Sequence, residues 1–98
     1  MIGRRVSAFD DIEQPGDYCY ALVEENGTEV PNIWFLLPIA RDEGVPNAAR
    51  AIHRVASPPH KFRFCDDGSI EVRESIGAGP SPYYWHGYLD EGHVWREV

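Results

Sequence analysis

Four histidines, two cysteines and an aromatic run near the C-terminus are the residues of this chain best equipped for chemistry. The densest grouping is Tyr83-Tyr84-Trp85-His86-Gly87-Tyr88. Side chains alternate between the two faces of a strand. Tyr84, His86 and Tyr88 therefore share one face, and Tyr83, Trp85 and Gly87 take the other. An aromatic-lined surface around an imidazole could move a proton, hold a metal or grip a partner. The commoner role of Tyr and Trp in a strand is to bury area. Tyr84, His86 and Tyr88 are the candidate binding residues, and no residue is assigned a catalytic role.

The other chemical groupings are weaker. A zinc site needs three or four converging ligands. His53, His60, His86 and His93 show no H-x-x-x-H spacing, and Cys19 and Cys65 form no C-x-x-C pair. No metal and no cofactor is expected. Asp66-Asp67, Glu71, Glu74 and Asp90-Glu91 could do acid–base work or hold a hard cation. Such residues more often form turns and solvated faces. Gly77-Ala78-Gly79 is not followed by a helical pattern, so it is a poor phosphate cradle.

Strands must position these residues. Strand-like runs cover Lys61–Cys65, Ser69–Arg73, Tyr84–Leu89 and His93–Val98. They are separated by turn signals at Asp66-Asp67-Gly68, Gly77-Ala78-Gly79-Pro80 and Asp90-Glu91-Gly92. Earlier, Asp17–Glu24 alternates with both faces apolar, which predicts an interior strand. Asn26-Gly27 suits a type I′ hairpin turn, and Glu29–Leu37 returns. Pro31 lacks an N–H, so that end must lie at an edge or bulge. A short strand is assigned to Arg4–Ala8. Pro38 to Gly44 reads as a linker. Val45, Ala48, Ala49, Ile52, Val55 and Ala56 fall on one helical face, predicting a helix over Val45–Ala56 that ends at Ser57-Pro58-Pro59. Asp42 and Glu43 would favour its positive end, and Arg50 and Arg54 its negative end. The expected fold is mostly β within the α+β class. A small antiparallel curled sheet, or a barrel-like sandwich of six to seven strands, carries one short helix in a single domain over residues 1–98. The expected core is Trp34, Phe35, Leu37, Phe62, Phe64, Ile70, Val72, Ile76, Trp85, Leu89 and Val94.

Composition narrows the function. Nine Lys and Arg face sixteen Asp and Glu, for a net charge of −7. Direct nucleic-acid binding needs clustered cations against phosphate, so it is disfavoured. An acidic surface suits solubility or a basic protein partner. No apolar run approaches the ~18–20 residues of a membrane span, and the run MIGRRVSAFDD lacks the apolar segment of a signal peptide. A cytoplasmic setting with reduced thiols is expected.

The runs PGDYCYALVEENG, NIWFLLP, HKFRFCDDGSIEVRESIG and YYWHGYLDEGHVW resemble, in that order, a family of small bacterial and phage proteins. It is called domain of unknown function 6527, and some members are labelled "ammonia monooxygenase". The resemblance covers residues 13–98 and is carried by Gly68-Ser69-Ile70, Ser75-Ile76-Gly77 and Trp85-His86-Gly87-Tyr88-Leu89, followed by Gly92 and Trp95. Where the family has a Cys-rich run, this chain has Ile33-Trp34-Phe35-Leu36-Leu37-Pro38. Where the family has a cysteine before the late His, it has Ser81, Pro82 and Tyr83. Of the implied ligands only His86 matches. The resemblance thus implies a zinc-less member in which apolar and aromatic residues, Trp85 among them, replace the metal. It also implies a phage setting in a host bacterial cytoplasm. The expected role is that of a small non-catalytic phage accessory protein that binds a host or virion protein. The alternatives are a structural virion protein assembling as a homo-oligomer, and an enzyme or metal binder dependent on His86.

Overall fold

The computed structural model describes residues 1–39, 45–47 and 49–98. Its strands are β1 (Arg4–Arg5), β2 (Asp17–Glu25), β3 (Thr28–Leu36), β4 (Ile52–Ala56), β5 (Phe62–Phe64), β6 (Ile70–Ala78), β7 (Trp85–Asp90) and β8 (Val94–Glu97). They form two sheets, ordered β1-β2-β3-β4 and β5-β6-β7-β8. All pairings are antiparallel except β1 with β2. The expected mostly-β architecture is therefore the observed one. It is an open pair of sheets and not a closed barrel.

Local sequence explains the hairpins. Asn26 and Gly27 both have positive φ, 52° and 78°, as a type I′ turn demands. The turn closes the pair Glu25↔Thr28. Gly68 and Gly92 also take positive φ, in the β5–β6 and β7–β8 turns. Pro31 lies just beyond the last β3–β4 pair, Asn32↔Ala56, and its carbonyl accepts the Ser57 N–H at 2.9 Å. Its missing N–H therefore falls where the ladder has already ended. Gly77 and Ala78 belong to β6, so the next turn starts later than the glycines imply.

The predicted helix is not formed. Residues Ile52–Ala56 are a strand that covers the edge of β3, with Ile33↔Val55 and Phe35↔His53 as partners. Val45 and Ala49 are buried, and turns occupy the described residues between them and β4. A stripe of Ala, Ile and Val over so short a run satisfies both periods, and pairing with β3 decides between them. Ala48, Asp42 and Glu43 lie outside the described residues, as does most of the predicted linker. The helical content among the described residues is a single 3-10 turn at Phe9–Asp11.

One core joins the sheets. Tyr18, Ile33, Phe35 and Leu37 meet Ile70, Val72, Ile76, Trp85, Leu89 and Trp95, all buried. Side chains of this size stabilise by ~1.5–3 kcal/mol each on burial. Trp95 is the hub. Its ring lies 5.3 Å from Phe35, 5.5 Å from Trp85 and 6.1 Å from Tyr18, and its indole N–H donates to the Gly16 carbonyl at 2.9 Å. Four expected core residues are not fully buried. Phe64 is exposed, and Phe62 is half-buried beside it on β5, an edge strand. Val94 is half-buried, and Trp34 faces the opposite side of its sheet. There Phe9 packs on Trp34 edge-on and the Arg54 guanidinium covers it.

The chain start sews the sheets together. The Gly3 N–H donates to the His93 carbonyl at 2.7 Å, and the Trp95 N–H donates to the Met1 carbonyl at 2.8 Å. Ile2 bridges Val94. The next residues, β1, pair with β2. This segment thus occupies the outer edge of β8 and runs from one sheet to the other.

Candidate functional site

The alternation predicted around His86 is observed. Trp85, Gly87 and Leu89 are buried, while His86 and Tyr84 are exposed and Tyr88 is half-buried. Tyr84 immediately precedes β7. His86 stands opposite Gly77 on β6, and Tyr88 opposite Arg96 on β8. A Cβ on Gly77 would collide with the Tyr84 hydroxyl, so the bare glycine lets that ring lie across the strand. The Arg96 guanidinium sits 4.5 Å above the centre of the Tyr88 ring and is fixed there by Asp90 at 2.8 Å. On the buried side a Cβ at Gly87 would meet the Arg96 carbonyl and lie 2.7 Å from the Trp85 ring. The strand therefore needs glycine to seat Trp85 inside while it presents His86 outside.

The acidic candidates are mostly engaged in structure. Arg63 pairs with Glu71 at 3.1 Å and Glu91 at 2.8 Å, Glu74 accepts the Lys61 N–H, and Asp90 holds Arg96. The hydrogen bond from Arg63 lowers the Glu71 pKa. Cys19 and Cys65 are buried and free, and burial pushes the Cys19 thiol up. The histidines are dispersed. His53 lies on β4, where burial lowers its pKa, and His60 bonds the Ser75 carbonyl at 3.1 Å. Among the described residues no group of His, Cys, Asp and Glu is placed to hold a metal ion. No described helix is long and apolar enough to cross a membrane.

Two polar clusters were not visible in sequence. Asp17 is buried. Burial would raise its pKa, but the Arg4 guanidinium at 2.8 Å and the N–H groups of Glu13 and Gln14 outweigh this and lower it. The second cluster joins the sheets. The fully buried Tyr18 hydroxyl lies 2.6 Å from His93 Nδ1 and accepts the Ile70 N–H at 3.3 Å. Burial raises the Tyr18 pKa to about 12, so the phenol keeps its proton. Beside it Asp67 accepts both the hydroxyl and the N–H of Ser69, which lower its pKa, and Ser69 Oγ accepts the Gly92 N–H at 2.9 Å. His93 has φ 63°, rare for a residue with a side chain.

No protein family matches the chain, and neither a curated protein nor a solved structure matches it. The resemblance drawn above rests on its motifs alone.

Proposed function

We propose that this protein acts by binding a protein partner through the outer face of the second sheet, with Tyr84, His86 and Tyr88 as contact residues. The observation that carries the reading is the Tyr88–Arg96 stack beside exposed Tyr84 and His86. Tyr and Arg are the side chains that most often anchor protein interfaces. Here Asp90 already holds the Arg96 guanidinium in place. Less side-chain freedom is then lost on binding. The net charge of −7 favours a basic surface on the partner. A host or virion protein is the partner class, in line with the phage setting that the motif resemblance implies.

Affinity capture from host lysate tests this with the intact chain and with Tyr84→Ala/His86→Ala. Both residues are exposed, so the double variant should keep the thermal midpoint of the parent. A protein retained by the parent and lost by the variant supports the reading, and an identical captured set sinks it. Self-assembly is the second reading, favoured by the outer edge of β5, which pairs with no strand among the described residues. A monomeric mass in solution argues against it.

A further inference from the structure

A separate cleft opens where the sheets meet, lined by Arg5, Val6, Ser7, Tyr20, Gly68 and His93, with a volume of about 340 Å³. We propose that this cleft binds a small phosphate monoester, with Arg5, His93 and Ser7 as donors to the phosphate and Tyr20 against the esterified group.

Arg5 is the first support. Its neighbour Arg4 is neutralised by Asp17, but Arg5 forms no ion pair among the described residues. Its Nη1 donates to the Gly68 carbonyl at 3.1 Å, which holds the guanidinium at the cleft without cancelling its charge. A guanidinium held this way keeps further N–H groups for an anion. In a chain with sixteen carboxylates, an exposed guanidinium that lines a cleft and has no ion pair among the described residues suits an acidic ligand.

The second support is the tautomer of His93. The Ile70 N–H donates to the Tyr18 oxygen, so the Tyr18 proton is available for His93 Nδ1 at 2.6 Å. An Nδ1 that accepts leaves the ring proton on Nε2. The imidazole of His93, a residue that lines the cleft, therefore carries an N–H donor on Nε2. Tyr18 acts as a positioning residue, since it is fully buried and cannot touch a ligand itself. No carboxylate lines the cleft itself; Asp67 beside it is committed to Ser69, and Asp11 and Glu13 line the adjoining recess that shares Arg5 and Ser7.

The third support is size and mixture. A guanidinium, an imidazole N–H and the Ser7 hydroxyl are three different donors, which suits the terminal oxygens of a phosphate better than the two of a carboxylate. A bare ion would leave most of the cleft unfilled. The aromatic wall of Tyr20, itself braced edge-on by Phe64 at 5.0 Å, suits a flat apolar substituent.

Phenyl phosphate, inorganic phosphate and phenol, titrated separately into the full chain and followed by amide and imidazole NMR, test the proposal. Phenyl phosphate should move Arg5, Ser7, Gly68 and His93 saturably, inorganic phosphate more weakly, and phenol not at all. Arg5→Gln should weaken phenyl phosphate about ten- to hundredfold, the worth of a charged hydrogen bond. His93→Asn, which tolerates positive φ, should weaken it too. In Tyr18→Phe the imidazole 15N shifts should change from the Nε2–H form to a mixture, a readout that packing alone would not move. Absence of saturable shifts, undiminished binding by Arg5→Gln, or an Nδ1–H imidazole in the parent overturns the site. Equal affinity for inorganic and phenyl phosphate overturns the monoester assignment. Tyr84→Ala/His86→Ala should leave this binding intact, so the two sites fail or succeed separately.

Discussion

Trp85 and His86 are adjacent in sequence and opposite in environment. Trp85 packs edge-on against Trp95 in the core, while the His86 ring is exposed. Trp85→Ala should therefore cost ~3–5 kcal/mol, much of the total stability of a domain this size. His86→Ala should stay within ~0.5 kcal/mol, as exposed substitutions do. Denaturant titration of both variants checks the pair, and a reversed order would invert the facing of β7. Asp17 gives a pH signature. Its folded pKa lies below the unfolded carboxyl value of ~3.9. The stability it contributes is complete above the unfolded pKa and is lost as pH falls through the lower folded one. Acid unfolding followed by circular dichroism should show a shallower pH dependence in Asp17→Asn, on a lower plateau at neutral pH. An unchanged acid slope would mean that the Arg4–Asp17 pair contributes nothing. These partners are 13 residues apart across a turn, and no motif announces them.

The hairpins were legible because their turns carry local chemistry. Asn26-Gly27 forecast the turn between β2 and β3, and positive φ at both residues agrees. A Cβ at Gly27 would meet nothing within 4 Å, so only backbone strain opposes a side chain there. Gly27→Val should destabilise by more than ~1 kcal/mol, and an unchanged thermal midpoint would contradict the turn type. The element that misled was β4. Ile52 and Val55 are three apart and fit a helix face, but Phe35 and Ile33 needed pairing partners on their outer side. Long-range demand of that kind leaves no trace in a local period. Trp34 misled for a related reason. The run Ile33–Leu37 is apolar on both faces, and burial of Phe35 rather than Trp34 in the shared core follows from which face meets the second sheet.

Across the molecule, the aromatic face and the cleft differ in how far apart their residues lie. Tyr84, His86 and Tyr88 sit within one strand and its lead-in, so alternation alone found them. Tyr18 and His93 are 75 residues apart, and Arg5 and Gly68 are 63 apart. Only the meeting of two sheets brings them to one recess. The seam that makes this meeting has a consequence for synthesis. Trp95 covers Tyr18 and Phe35 and caps Gly16, and the strand that carries it is where Met1 to Gly3 dock. Because a chain is made in the order of its sequence, the first sheet leaves the ribosome before the residues that cover its apolar face. Its cover comes with β6 and β7, which bring Ile70, Val72, Ile76, Trp85 and Leu89, and is finished by Trp95 on β8. Until then that face is exposed apolar surface, of the kind that draws aggregation or chaperones.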